Sequence, residues 1–367
     1  METEKLNQVI SPFLIEGTVS KISPLGNGLI NDTYKIETKE DNFPDYVLQR
    51  VNNEVFTDVD LLQHNIEVVT NHIREKLQKQ GESELDRKVL RFIPTKEGKT
   101  YFKDNDGKYW RISVFIPDAK TYELVDAAHS YDAGKAFGHF QSMLTDVPEQ
   151  LGETIPDFHN MELRMNQLRE AVEANPEGRV AEVQDMLDEL ETHANEMCKA
   201  EQLYRDGKLK KRICHCDTKV NNMLFDENGT VLCVIDLDTV MPSFIFSDYG
   251  DFLRTGANTV AEDSSEFDKI DFRMDIFEAF TKGYLESAHH FLEPIEIENL
   301  PYAAKLFPFM QCVRFLADYI NGDTYYKIKY DKHNLVRAKN QLCLFRSACT
   351  HEPAMRTFIK TCLNEIQ

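Results

Sequence analysis

Residues 214–222 read CHCDTKVNN, and residues 223–239 continue MLFDENGTVLCVIDLDT. Residues 212–216 alternate like the end of a strand, 217–222 make a polar loop, MLF opens a second strand, and the third ends at Asp236. DENG between the last two is a turn signal. Neighbouring strands that end beside one loop bring Asp217, Asn222 and Asp236 close together. One carboxylate is then free to accept a proton. The amide oxygen of Asn222 and the carboxylate of Asp236 suit a hard divalent cation, magnesium with water completing its shell. Lys219 sets a positive charge two residues after Asp217. These are the parts that phosphoryl transfer requires.

A lone loop aspartate is commonly a turn or cap residue. The pattern His-x-Asp-x-x-x-x-Asn, followed fourteen residues later by Asp236, is much rarer by chance. Cys214, His215 and Cys216 suggest zinc only superficially, because no second Cys/His pair lies nearby at ligand spacing. On a strand the two cysteines share one face and read as small core residues, while His215 points the other way and braces the loop.

Outward from this run the chain divides. Residues 1–116 favour strands: TVSKISPLG, NDTYKIET, YVLQRV and KYWRISVFI carry β-branched and aromatic residues between turn signals. One helix interrupts from Asp60, with Leu62, Ile66, Val69, Ile73 and Leu77 at steps of three and four. Residues 117–367 are mainly helical, with a stripe of Ala133, Ala136, Phe137, Phe140 and Leu144 and a long helix-prone stretch over 160–207, broken at NPEG. The expectation is an α+β chain: a small β-rich N-terminal lobe, a hinge near 114–119, and a larger helical lobe that carries the loop.

The balance of 62 acidic against 42 basic residues leaves a net charge of −20 over 367 residues. Such a surface repels nucleic-acid phosphates and anionic lipids, so neither is an expected partner. The start, METEKLNQVI, has charges where a signal peptide needs an apolar run, and no stretch approaches the roughly 18 apolar residues of a membrane span. A soluble, cytoplasmic protein with reduced thiols is expected, and a monomer slightly more than an oligomer.

HCDTKVNN and VIDLDT together resemble the catalytic loop and metal segment of the aminoglycoside phosphotransferase and choline kinase-like family, which has a protein-kinase-like, bilobal fold. PLGNGLINDTY, IDLDTVMPS, FSDYGDFLRTGA, RFLADYINGDTYY and HNLVR extend the likeness over most of the chain, toward the branch that phosphorylates N-acetylhexosamines at the anomeric carbon. The resemblance implies ATP as donor and magnesium as cofactor. It implies that Asp217 orients the acceptor hydroxyl, that Asn222 and Asp236 hold the metal, and that Lys219 stabilises the phosphates. Asp238 is implied either in the metal's outer surroundings or as a turn cap.

At the nucleotide end, the resemblance makes Gly26, Asn27 and Gly28 the phosphate loop, with Asn31 a contact to nucleotide or sugar. No strand lysine is present: YVLQRVNN offers Gln49 or Arg50, with Glu67 as a candidate partner or a solvated helix residue. ISVFIP is the expected hinge, whose backbone at Val114 and Phe115 would meet adenine. At the acceptor end, Arg314 and Asp318 share a helix face at i, i+4, and Arg314, Asp318 and Tyr325 are implied to line a sugar pocket. Asp248 and Asp251 are expected to brace the metal segment through backbone N–H groups. A kinase of the same family for choline, homoserine, an aminoglycoside or another hexose shares every catalytic part, and an inactive nucleotide-binding module is the remaining alternative.

Overall fold

The computed structural model describes residues 2–25, 31–122 and 125–366. The chain falls into two compact units: residues 1–121 with 146–156 and 223–241, and residues 122–145 with 157–222 and 242–367. The expected boundary at 116/117 lies near the first crossing, but two later segments rejoin the first unit. Backbone bonds between Lys120 and Phe225 (3.0 and 2.9 Å) and the Asn65 amide, which donates to the carbonyls of Gly152 and Val240 (2.8 and 2.9 Å), fasten them there.

The first unit opens with helix α1 (Glu2–Ile10) and carries an antiparallel sheet of β1 (Val19–Pro24), β2 (Asp32–Thr38), β3 (Tyr46–Val51), β4 (Phe102–Lys103) and β5 (Tyr109–Val114), in the order β1-β2-β3-β5-β4. Alternation sets the register: Leu48 faces Ile112 and Tyr46 faces Val114 across β3 and β5. These side chains join Leu6, Val9, Ile10, Ile36 and Trp110 in one buried cluster. Helix α2 (Val59–Lys79) buries the predicted stripe, and its Asp58 cap accepts the N–H of Leu61 at 2.9 Å. The short α3 (Leu85–Lys88) follows. DNDGK turns the chain from β4 into β5, with Gly107 at φ 76°.

In the second unit, α4 (Ala127–Met143) lies against α9 (Met274–Ala288) at glycine-only distance: a Cβ on Gly283 would stand 2.0 Å from the Tyr131 carbonyl oxygen. The helix-prone stretch resolves into α5 (Met161–Ala174), α6 (Gln184–Met197) and α7 (Lys199–Arg205), and the NPEG break holds Asn175 in the left-handed region at φ 36°. Strand β6 (Arg212–Cys214) leads into the polar loop. The hairpin β7 (Met223–Phe225) and β8 (Val231–Val234) belongs to the first unit, and β9 (Met241–Ser243) follows it. Then come α8 (Phe246–Gly256), α10 (Pro294–Glu298), α11 (Leu300–Ile320) and α12 (His333–Ile366). Helix α11 is buried along nearly its whole length, which explains why its sequence is apolar on all sides. Among the described residues, no helix is long and apolar enough to cross a membrane.

Candidate active site

The loop after β6 is held by the buried carboxylates of α8. Asp248 accepts the N–H groups of His215 (3.0 Å) and Cys216 (2.8 Å), and Asp251 accepts that of Thr218 (3.1 Å). The expected bracing by this pair is thus made to the loop around Asp217. The Thr218 hydroxyl donates to the Asp248 carbonyl at 2.7 Å, and Gln141 donates to the Asp248 carboxylate at 2.8 Å. Burial raises the pKa of Asp248 and Asp251, and Arg254, 3.2 Å from Asp251, opposes it at the second. Carboxylates spent on backbone N–H groups fix a loop more rigidly than side-chain contacts do.

The strand alternation stops earlier than the sequence suggests. Cys216 has φ 63°, so the chain turns there, and His215 is as buried as Cys214 and Cys216. His215 sits edge-on to Phe137 and Phe140, and its Nδ1 accepts the Asp217 N–H at 3.3 Å. Burial pushes both thiols up, far from the thiolate that zinc requires.

Asp217 stands on this frame with Lys219 Nζ 2.8 Å from its carboxylate. The Asn222 amide donates to the Asp217 carbonyl (2.8 Å) and carboxylate (3.1 Å). Burial disfavours the charge on Asp217, but Lys219, His215 and the Asn222 amide outweigh it and hold the carboxyl below its ordinary range. Burial lowers Lys219 less than Asp217 and Asp251 raise it, so the ammonium persists. With its Nδ2 given to Asp217, Asn222 keeps Oδ1 for a cation. Among the described residues no group of three or more His, Cys, Asp or Glu forms a metal cage.

Asp236 belongs to the first unit and is described within it. It takes φ 59° and ψ 57° and opens the turn Leu237–Thr239. The next acid, Asp238, is 3% exposed and ion-paired to Arg111 Nη1 at 2.6 Å. Asn31 Nδ2 donates to its other oxygen at 2.7 Å, and Asn31 Oδ1 accepts the Asn52 N–H at 2.9 Å. Asn31 is therefore committed at both ends of its amide. Gln49 accepts from Arg111 Nε at 3.0 Å, Arg50 pairs with Asp32, and Glu67 accepts from Thr100 instead of partnering either strand residue. The Val114 and Phe115 N–H groups donate to Arg91 and Asp45 carbonyls, both at 2.9 Å. Gly26, Asn27 and Gly28 lie outside the described residues.

In the second unit, Arg314 lies over the rings of Phe158 (5.4 Å) and Tyr326 (5.6 Å) and donates to Gln311 at 3.2 Å. Asp318, one turn along α11, makes no ion pair with Arg314 among the described residues. Its carboxylate accepts the N–H groups of Thr324, Tyr325 and Tyr326 (2.9, 2.8 and 3.0 Å) and the Asn334 amide (2.8 Å). It shapes the loop that carries the tyrosines; Tyr325 is 66% exposed and Tyr326 packs inward. The sequence reading missed Phe158, His159 and Arg164. Arg164 donates to the Phe158 carbonyl at 2.6 Å, and burial beside Arg314 lowers it to about 10. His159 stacks on Phe158 at 4.3 Å, and burial with the two arginines keeps its imidazole neutral. Only the Asn160 cap, ahead of α5, marks this corner in the sequence.

The profile of the phosphotransferase enzyme family matches residues 21–285. An aminoglycoside phosphotransferase from Alicyclobacillus acidocaldarius is similar at 14% identity and a TM-score of 0.63, over 97% of this chain and 96% of that one. An amicoumacin kinase, solved with AMP-PNP and Ca2+, is similar at 13% identity and a TM-score of 0.60, over 93% of this chain and 92% of its own. A microcompartment-associated aminopropanol kinase gives 14% identity and a TM-score of 0.60, with 96% and 98% covered. At such identities these structures speak for the fold, while the family match speaks for the chemistry. The chain belongs to the phosphotransferase enzyme family, a small-molecule kinase with a protein-kinase-like fold of β-sheet N-terminal lobe and helical C-terminal lobe.

Proposed function

We propose that the protein transfers the γ-phosphoryl group of ATP to the anomeric hydroxyl of an N-acetylhexosamine, N-acetylglucosamine or N-acetylgalactosamine, in the cytoplasm. The observation that carries the acceptor class is the corner of Phe158, Arg164, Arg314 and Tyr326. Among the described residues neither arginine has a carboxylate within ion-pairing distance, in a chain of net charge −20. A cationic acceptor such as choline or an aminoglycoside would meet repulsion there. A neutral sugar with an acetamide carbonyl meets donors and flat rings. Arg314, Tyr325 and the loop set by Asp318 are the proposed sugar contacts.

Asp217 accepts the hydroxyl hydrogen as the oxygen–phosphorus bond forms and the bond to the β-phosphate oxygen breaks, leaving ADP. A carboxylate held below its ordinary pKa is a weak base. It suits an anomeric hydroxyl, made more acidic by the ring oxygen, whose proton moves late. Lys219 keeps the carboxylate oriented and adds positive charge beside the transferring group. Magnesium, when bound, neutralises charge between the phosphates. Its proposed ligands are Asn222 and Asp236. The hairpin register supports this, since Met223, which follows Asn222, pairs with Val234, two residues before Asp236. For adenine, the Ile116 backbone is a better candidate than Val114 or Phe115, whose N–H groups are used.

Phosphorus NMR of reactions with ATP, magnesium and each N-acetylhexosamine tests this reading. A sugar 1-phosphate is expected. Turnover of choline or an aminoglycoside without any N-acetylhexosamine product would overturn the acceptor assignment.

A further inference from the structure

Asp236 adopts a left-handed backbone conformation that a non-glycine residue holds only where its surroundings fix it. What fixes it is visible inside the first unit. Two residues on, both carboxylate oxygens of Asp238 are occupied: Arg111 takes one at 2.6 Å and Asn31 the other at 2.7 Å. The Asp238 carbonyl accepts the Thr154 hydroxyl at 2.9 Å, and the Val240 carbonyl accepts the Asn65 amide at 2.9 Å. Arg111 is 2% exposed and is itself set by Gln49 (3.0 Å) and Gln63 (3.3 Å). Asn31 is set by the Asn52 N–H and directly follows the glycine-bearing stretch 26–30 in the chain.

We propose that Asn31 and Arg111 are positioning residues for Asp236, acting through Asp238 as a two-sided latch on the turn Leu237–Thr239. The latch aims the Asp236 carboxylate at the metal. The buried arginine of β5 is thereby committed to the metal segment, where a strand lysine would be committed to nucleotide phosphates. The role rests on the reading of Asp236 as a metal ligand. Outer partners of this kind typically govern metal affinity by 10–100-fold.

The test is binding of Mn2+ in the presence of ADP, followed by electron paramagnetic resonance, beside binding of ADP alone in EDTA. The proteins are wild type, Asn31→Ala, Arg111→Met, Arg111→Lys and Asp236→Asn. Asn31→Ala and Arg111→Met are expected to weaken Mn2+ by roughly tenfold or more while ADP alone binds within about twofold of wild type. Arg111→Lys should recover part of the loss. In turnover, the KM for the metal–nucleotide should rise and kcat return at high metal concentration. Wild-type Mn2+ affinity in both latch variants, with Asp236→Asn impaired, would overturn the latch alone. Wild-type Mn2+ affinity in Asp236→Asn would overturn the ligand assignment and the latch together. If Arg111→Met does not fold, Asn31→Ala decides, since it removes a single hydrogen-bonding amide and leaves the ion pair intact.

Discussion

Glu201 on α7 is 7% exposed, and burial raises its carboxyl from 4.5 to about 7. One oxygen accepts the N–H of Met161, the first residue of α5, at 2.7 Å, and the other is buried with no hydrogen-bond partner among the described residues. The folded value lies above the unfolded one. The associated stability is therefore complete below about 4.5 and lost as pH rises through about 7. The gap between the two values, at ~1.4 kcal/mol for each tenfold in proton affinity, gives about 3 kcal/mol. Glu201→Gln keeps an oxygen for Met161 and cannot ionise. Urea unfolding of variant and wild type should show the variant ahead by about 1 kcal/mol at pH 5.5 and about 3 kcal/mol at pH 8.5. Met161 follows Phe158 and His159 by only a few residues, so the wild type should also lose acceptor affinity above neutral pH while the variant keeps it. A stability difference that is the same at both pH values would refute the reasoning, because a purely structural change has no reason to follow this titration.

Asp217→Asn should lower kcat by ~10²–10⁴-fold with acceptor binding retained, measured by steady-state kinetics and calorimetry. Arg314→Met should raise the KM for an N-acetylhexosamine by roughly 10–100-fold with a smaller change in kcat, since a charge-assisted hydrogen bond to the bound sugar is lost. Gly283→Ala drives a methyl group against the Tyr131 carbonyl and should destabilise the α4–α9 contact by roughly 1–3 kcal/mol, read from thermal unfolding. EDTA should abolish turnover, and magnesium should restore it.

Periodic elements were the legible ones. The β-branched and aromatic content of β1, β2, β3 and β5 between turn signals and the stripe of α2 follow from what buries, so Leu62, Ile66 and Val69 read directly as core. β4 and β9 are too short, at 2 and 3 residues, for alternation to register. α1 did carry a signal in Leu6, Val9 and Ile10, at helical steps and all buried, hidden by the charges of Glu2, Glu4 and Lys5 ahead of them. At the site, the residues near one another in sequence were found: Asp217, Lys219 and Asn222 meet through a loop of six residues. Arg111 and Asp238 are 127 positions apart, and nothing local in KYWRISVFI distinguishes a buried, paired arginine from one on an exposed sheet face. Asp318 misled for the opposite reason. The i, i+4 spacing with Arg314 is real, but three N–H groups of the next loop offer its carboxylate more than one half-buried cation would.

The net charge and the acceptor corner point in different directions, and distance decides between them. A charge of −20 spread over the surface is screened within about 8 Å at physiological salt, so it steers encounters without setting what a pocket holds. Inside, several cations are matched to carboxylates, Arg111 to Asp238, Arg212 to Glu296, Arg254 to Asp251 and Glu262, and Lys305 to Glu196 and Glu352, whereas Arg337 and Lys199 lie over the rings of Phe315 and Tyr302. Leaving a buried cation unmatched costs free energy that a fold has no structural reason to bear. Burial first, and the positive charge of Arg314 second, lower Arg164 to about 10. Arg314 over the rings of Phe158 and Tyr326, with Arg164 on the Phe158 carbonyl beside it, is the observation on which the proposed acceptor rests. On the proposed function, the group that completes them is a carbonyl or an anion rather than an ammonium, selected by local pairing in a protein whose overall acidity suggests the reverse.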